Sequence, residues 1–179
     1  MLIQTNDTQQ IKVDFNFLTE EECGYVDLYV RTELGGVKTD NHRDIWDKRL
    51  FEDTQGNLEV TQIEDPEFVS FIVERMIRRF GTTKHTSKYA VMHYKSHGQY
   101  NVNWHDDGIF DGAASIYLND DWNRTYGGYF IYQMKDQITM TAIQPKRGVA
   151  VYQEGGVLHS TTPVSKTAPS RESIQVFIQ

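Results

Sequence analysis

Cysteine occurs once in 179 residues, at position 23, so no intrachain disulfide can staple the fold. Its surroundings, "TEEECGYV", have helical spacing, and a lone thiol there is expected to behave as a small buried apolar group. Basic residues are in the minority: 18 Lys and Arg stand against 25 Asp and Glu, for a formal net charge of -7. No basic stripe offers itself to a phosphate backbone, which argues against nucleic acid as a partner. No apolar run is long enough for a membrane span, which argues against the membrane. The opening "MLIQTNDTQQ" has neither a basic n-region nor an apolar h-region, so no secretory signal is read and the expected setting is cytoplasmic. Hydrophobic residues at 39% and aromatics at 12% supply a core for one domain over residues 1–179.

Two helices are expected near the front, within a helical support spanning about 15–85. "FLTEEECGYVDLYVRTEL" places Thr19 three residues before Glu22, a capping box in which each side chain reaches the other's backbone N–H. "DPEFVSFIVERMIRRF" has Asp65 as N-cap and Pro66 where a missing N–H costs nothing. Phe68, Ile72, Met76 and Phe80 form one stripe, read as core packing, and Gly81 stops the helix. Between them, "GGVKTDNHRDIWDKRLFEDTQGNLEV" is polar and turn-rich. It is expected as a long, partly ordered loop over 35–57, of the kind that serves as a lid or binding loop. Its Trp46 and Arg49 are either substrate contacts or surface packing.

From about residue 86 the pattern becomes short segments rich in Val, Ile, Tyr, Phe and Thr: "KYAVMHY", "GQYNVNWHD", "AASIYLN", "GGYFIYQ", "ITMTAIQ", "GVAVYQ", "VLHSTTPV" and "ESIQVFIQ". Eight strands after two helices predict a mainly β sandwich or jelly roll with helices packed outside.

"NVNWHDDGIF" carries the first chemical signal. If it is a strand, His105 and Asp107 share a face, and Asp106 turns away with Trp104. The plain alternative is an acidic hairpin end. His159 in "GGVLHSTTPV" supplies a further ligand, and two His with one carboxylate suit the facial triad of non-heme Fe(II) sites. The same donors also suit catalytic zinc. His42, His85, His93 and His97 are read as surface or structural groups. In "SRESIQVFIQ", alternation puts Arg171, Ser173, Gln175 and Phe177 on one face and Ile174, Val176 and Ile178 on the other. An Arg on a buried face needs an anion; a bidentate carboxylate fits, as does an ordinary salt bridge.

Taken in order, "YKSHGQYNVNWHDD", "ASIYLNDDWNRTYGGYF", "PKRGVAVYQ", "LHSTTPV" and "RESIQVFI" resemble the conserved blocks of prolyl-4-hydroxylase-like 2-oxoglutarate/Fe(II) dioxygenases. "FLTEEEC" is similar to the helix that opens these domains, so the resemblance covers roughly residues 15–179. It implies a double-stranded β-helix (cupin-like jelly roll) core over about 86–179. It also implies Fe(II) on His105, Asp107 and His159, with 2-oxoglutarate and O2 as co-substrates and ascorbate as the reductant to test. Arg171 matches the residue that pairs with the distal carboxylate of 2-oxoglutarate, and Ser173 completes the Arg-x-Ser pattern. Tyr94 and Tyr117 match tyrosines of the co-substrate pocket, and Tyr100 matches the second aromatic of the first block; core packing is the plain reading of each.

The chain departs from the family in two spacings. The gap from Tyr100 to His105 and the stretch from His159 to Arg171 are slightly long, the latter through "SKTAPS". Lys166 in that turn is therefore a second candidate for the carboxylate, though Arg171 before Ser fits the family better. The resemblance implies hydroxylation of an unactivated C–H, and a prolyl residue in a peptide or protein is the leading substrate. Free amino acids and small metabolites are the alternative. Halogenases of this superfamily typically carry a small residue in place of Asp107, which speaks for hydroxylation here. A zinc hydrolase, which would have no use for Arg171 and Ser173, and a non-catalytic jelly-roll binding module, which would need no redox metal, are the competing classes. The 35–57 loop and the "NDDWNRTYGG" turn are expected to frame the entrance.

Overall fold

The computed structural model describes residues 2–5, 10–82, 88–134 and 136–179. Two helices stand where the caps predict them. Helix α1 (Glu20–Thr32) begins with Thr19 accepting from Glu22 N–H while the Glu22 carboxylate accepts from Thr19 N–H. Asp65 Oδ1 accepts from the N–H groups of Glu67 and Phe68 at 2.8 and 3.1 Å, opening the second long helix, Pro66–Phe80. Gly81 ends that helix at φ 70, a left-handed turn that glycine adopts without a Cβ clash.

The strands form two antiparallel sheets. In chain order they are β1 (Leu2–Thr5), β2 (Ile11–Asp14), β3 (Asp40–Asn41), β4 (Asn57–Ile63), β5 (Tyr89–His97), β6 (Gly112–Tyr117), β7 (Phe130–Gln133), β8 (Met140–Ile143), β9 (Ala150–Glu154), β10 (His159–Thr161) and β11 (Arg171–Ile178). The major sheet runs β1-β2-β9-β6-β11-β5-β4-β3, and the minor sheet β10-β7-β8. Alternation divides the core into two layers. Ile116, Ile174, Val176 and Ile178 face the helices and pack with Cys23, Val26, Phe68, Ile72 and Met76. Val13, Tyr117 and Val151 face inward and meet Phe130, Tyr132 and Ile143 of the minor sheet. The result is a double-stranded β-helix jelly roll with helices on its outer face. Among the described residues no helix is long and apolar enough to cross a membrane.

The structure corrects two expectations. "GQYNVNWHD" is not a strand. Strand β5 continues through His97, and Gln99 at φ 64 then turns the chain. Beyond that turn the chain runs antiparallel beside residues 159–164 with irregular bonds, Val164 N–H to Tyr100 O, Thr161 N–H to Val102 O and Val102 N–H to Thr161 Oγ1, while Asn103 N–H goes to Leu50 O, so no continuous ladder forms. The 35–57 stretch is also more ordered than a loop. It holds β3, a one-turn helix α2 (His42–Ile45) and a 3-10 turn at Lys48–Leu50, and it runs directly into β4. Strand β4 pairs with β5 over its whole length, from Asn57 opposite His97 to Ile63 opposite Val91. With β2 beside β9, the N-terminal half therefore supplies strands to the major sheet as well as helices. The long helix that follows β4, Pro66–Phe80, is α3.

Candidate metal centre and its anion pocket

His105 and His159 are paired through their backbones. An isolated antiparallel bridge joins them, with His105 N–H donating to His159 O at 3.0 Å and His159 N–H donating to His105 O at 2.9 Å. This bridge fixes the separation of the two rings, whose centroids lie 4.2 Å apart. Phe130 stacks on the far side of His159 at 5.2 Å. Each imidazole donates its Nδ1 proton to a carbonyl: His105 to Asn103 O at 2.7 Å, and His159 to Val157 O at 2.8 Å. A carbonyl only accepts, so in each ring Nε2 is the nitrogen that carries the lone pair a metal would bind. They converge on Asp107. His105 Nε2 lies 3.7 Å from Asp107 Oδ1, and His159 Nε2 lies 3.7 Å from Asp107 Oδ2. One donor atom from each of the three residues falls within 4.8 Å of the others.

Burial, and then the neighbouring His105, push the His159 imidazole down to about 4. It is therefore neutral at physiological pH, the state a ligand requires. The turn that follows separates the two aspartates. Asp107 O accepts from Phe110 N–H at 2.8 Å, while Asp106 is exposed and spends Oδ1 on Gly108 N–H. Strand alternation is thus the wrong reason for preferring Asp107, since the segment is not a strand; a turn makes the selection.

Arg171 begins β11 and is 6% exposed. Its Nε donates to Gly128 O at 2.9 Å, and its guanidinium carbon lies 5.1 Å from the centre of the Tyr117 ring. Among the described residues no carboxylate lies within ion-pair distance of it, so a buried cation faces the barrel without a protein anion. Gly128 (φ 67) makes the contact possible: a Cβ there would meet Arg171 Cδ at 2.9 Å. Lys166, the other candidate, is exposed in its turn. The Tyr117 and Tyr100 hydroxyls are buried and have no hydrogen-bond partner. Burial raises the pKa of each, with Arg171 pulling the other way, so both remain protonated donors.

A cavity of about 1050 Å³ connects these groups; Tyr94, Tyr100, His105, Asp107, His159 and Arg171 all line it. Tyr117 and Ser173 do not reach its wall. Tyr117 packs beneath Arg171, and Ser173 Oγ accepts from Gln175 Nε2 at 2.9 Å. Of the expected entrance segments, the 119–128 turn is also absent from the cavity wall. It folds on itself, with Trp122 Nε1 donating to Gly127 O at 2.9 Å, and delivers the Gly128 carbonyl to Arg171. The 35–57 segment does border the cavity, through Ile45, Trp46 and Leu50. Trp46 packs on Tyr94 with ring centroids 5.4 Å apart, and Arg49 pairs with Asp47 at 2.6 Å.

The remaining histidines lie outside this centre. His42 is fully buried and accepts from Leu58 N–H at 3.1 Å, His93 pairs with Glu172, and His97 pairs with Glu59. His85 lies outside the described residues. Sequence reasoning missed Gln153, which lines the cavity, and placed Gln175 on the Arg171 face without giving it a role. The available signal was a glutamine two residues after the inward-facing Val151.

A family model described as the 2OG-Fe(II) oxygenase superfamily matches residues 85–179. The chain belongs to that superfamily. No curated protein sequence matches it. Among solved structures, a prolyl-4-hydroxylase from Pseudomonas putida is similar with a TM-score of 0.73 at 12% identity, over 95% of this chain and 92% of that one. A prolyl hydroxylase from Trichoplax adhaerens, in complex with a peptide fragment of the hypoxia inducible factor oxygen degradation domain, gives a TM-score of 0.67 at 17% identity, over 94% and 83%. The non-heme alpha-ketoglutarate-dependent carbocyclase SnoK from nogalamycin biosynthesis gives 0.69 at 14%, over 94% and 79%. These likenesses establish the fold of the oxygenase.

Membership in the superfamily implies Fe(II) and 2-oxoglutarate, and the donor set of this oxygenase fits both. Two tautomer-locked imidazoles and one carboxylate make a mixed N/O site suited to non-heme Fe(II). A buried guanidinium without a carboxylate partner, with the unpartnered Tyr100 hydroxyl on the same cavity wall, suits a dicarboxylate.

Proposed function

We propose that this oxygenase hydroxylates an unactivated C–H bond, with a prolyl residue in a peptide or protein as the leading substrate. One observation carries the reading: the His105, Asp107 and His159 donors line the same cavity as an Arg171 that has no carboxylate partner. In this reading the two imidazoles and Asp107 hold Fe(II), and Arg171 takes the distal carboxylate of 2-oxoglutarate. Tyr100, on the cavity wall, is the neutral donor that can complete that anion's hydrogen bonds, and Tyr117 supports Arg171 from beneath. When bound, the metal and co-substrate supply the oxidising chemistry with O2. The chain's own part is to orient the carboxylates, keep the imidazoles neutral and exclude water.

The outer cavity supports a substrate larger than a free amino acid. Ile45, Trp46, Trp104, Ile109 and Leu158 line it, and all of these except Trp46 are exposed. An apolar collar of that kind suits a proline-containing peptide, and the two prolyl hydroxylases of the same fold agree with it. A small-metabolite hydroxylase is the second reading, favoured by the likeness to a carbocyclase.

The test is succinate release dependent on Fe(II) and 2-oxoglutarate, screened over proline-containing peptides and free amino acids. Peptide-stimulated turnover supports the leading reading, and no gain with any proline-containing substrate removes it. Asp107→Ala and His159→Ala abolish turnover, whereas Asp106→Ala retains it. Arg171→Ala raises the 2-oxoglutarate requirement at least tenfold; a zinc hydrolase would be indifferent to that change.

A further inference from the structure

Strand β9 runs between β2 and β6, and its residues alternate between the two core layers. Val151 points into the barrel with Tyr117 and Phe130, and Tyr152 points out against the helices. Gln153 therefore faces inward, and it is 4% exposed. Burying an amide at an otherwise apolar strand position requires hydrogen-bond partners. Gln153 finds them on two members of the candidate metal centre. Its Nε2 donates to Asp107 Oδ2 at 2.8 Å and lies 2.9 Å from His159 Nε2. Because His159 Nδ1–H is committed to Val157 O, Nε2 is the ring atom that accepts, a bond that a metal on His159 would replace while the bond to Asp107 Oδ2 stays.

We propose that Gln153 is a positioning residue for the metal centre, which fastens one oxygen of Asp107 and so sets both the affinity of the site and the single-oxygen binding of its carboxylate. The inference rests on the ligand set proposed above. Asp107 hangs on a turn rather than on a ladder, so its carboxylate is the least constrained of the three donors. The amide of Gln153 is carried by a strand paired on both sides, and it holds Oδ2. Oδ1, on the His105 side, is then the oxygen offered to the ion. An amide suits the task because it donates without adding a second negative charge. A free carboxylate would have to be reoriented each time a metal arrived, whereas a fastened one is already placed.

The experiment titrates Co(II) alone into the full-length protein and follows tryptophan quenching and the Co(II) absorption band, for wild type, Gln153→Leu, Gln153→Met and Asp107→Ala. Both leucine and methionine keep the volume and remove the donor. The expected result is a Kd about 10- to 100-fold weaker for Gln153→Leu and Gln153→Met, with an altered Co(II) band. The metal-free melting temperature stays within a few degrees, since β9 keeps its backbone pairs. If either variant folds and binds Co(II) within twofold of wild type with the same spectrum, Gln153 is not a positioning residue. A fall in metal-free melting temperature with unchanged Kd likewise overturns it, because that is the mark of a packing role. Saturable wild-type binding that Asp107→Ala does not weaken would sink the ligand set itself, a failure distinct from that of Gln153.

Discussion

Gly128 touches the chemistry through another residue. Its carbonyl accepts from Arg171 Nε, and its hydrogen occupies the space a Cβ would need. Gly128→Ala is expected to displace the guanidinium and strain a backbone held at φ 67. The requirement for 2-oxoglutarate then rises at least tenfold, and stability drops by about 1 kcal/mol or more. Steady-state kinetics beside a thermal melt measures both, and an unchanged requirement would show that Arg171 does not depend on that carbonyl. Individual residues differed in how legible they were. The triad could be nominated from residue type and order. Arg171 could be nominated because an inward charge on a hydrophobic strand needs an explanation. Gln153 could not, because an uncharged amide on a strand is unremarkable until its neighbours are known.

Strand β11 carries Arg171 on its cavity face and Glu172 on the other. Glu172 accepts from Ser170 Oγ at 2.8 Å and stands 3.4 Å from His93 Nε2 and 3.6 Å from Lys95 Nζ, both on the adjacent β5. His93, more than any other neighbour, holds the Glu172 carboxyl down to about 2 from an ordinary 4.5, against the upward push of burial. A depressed folded-state pKa means that the unfolded chain takes up the proton first. The stabilisation is therefore complete above pH 4.5 and is lost as pH falls towards 2. Partial exposure discounts it to about 1–2 kcal/mol. Denaturant melts of wild type and Glu172→Gln between pH 7 and pH 3 check this: the variant is less stable at pH 7, and the gap narrows on acidification. A gap that is constant with pH would place the effect elsewhere. The helices were legible as elements because their caps are local, as with Thr19 and Glu22. The 98–106 segment misled because its composition is that of a strand, while its bonds to residues 159–164 are irregular and only His105 and His159 form a bridge.

The whole molecule surrounds one large cavity between two sheets, and any ligand of that cavity binds the folded state alone. Mn(II) and 2-oxoglutarate, each at about a hundredfold its Kd, are expected to add about 2.7 kcal/mol apiece. For a chain of this length that is a rise in melting temperature of roughly 5–10 °C from each ligand. Differential scanning fluorimetry measures it. Asp107→Ala should lose the Mn(II) part and Arg171→Ala the 2-oxoglutarate part, and equal shifts in all three proteins would separate the cavity from ligand binding.

Residue order alone predicted a mainly β class, the two capped helices and a short roster of metal and anion candidates, and the resemblance of its blocks to a known family implied the jelly roll. Each of these follows from local periodicity, hydrogen-bonding chemistry and the sequence of blocks along the chain. Contacts between distant segments decided the rest. The His105–His159 bridge sets the spacing of the imidazoles, and a turn rather than strand alternation separates Asp107 from Asp106. The 2.8 Å bond from Gln153 to Asp107 joins residues 46 positions apart. Local preference is carried by neighbours in the chain, whereas the placement of a donor atom is fixed by whichever strands lie beside it.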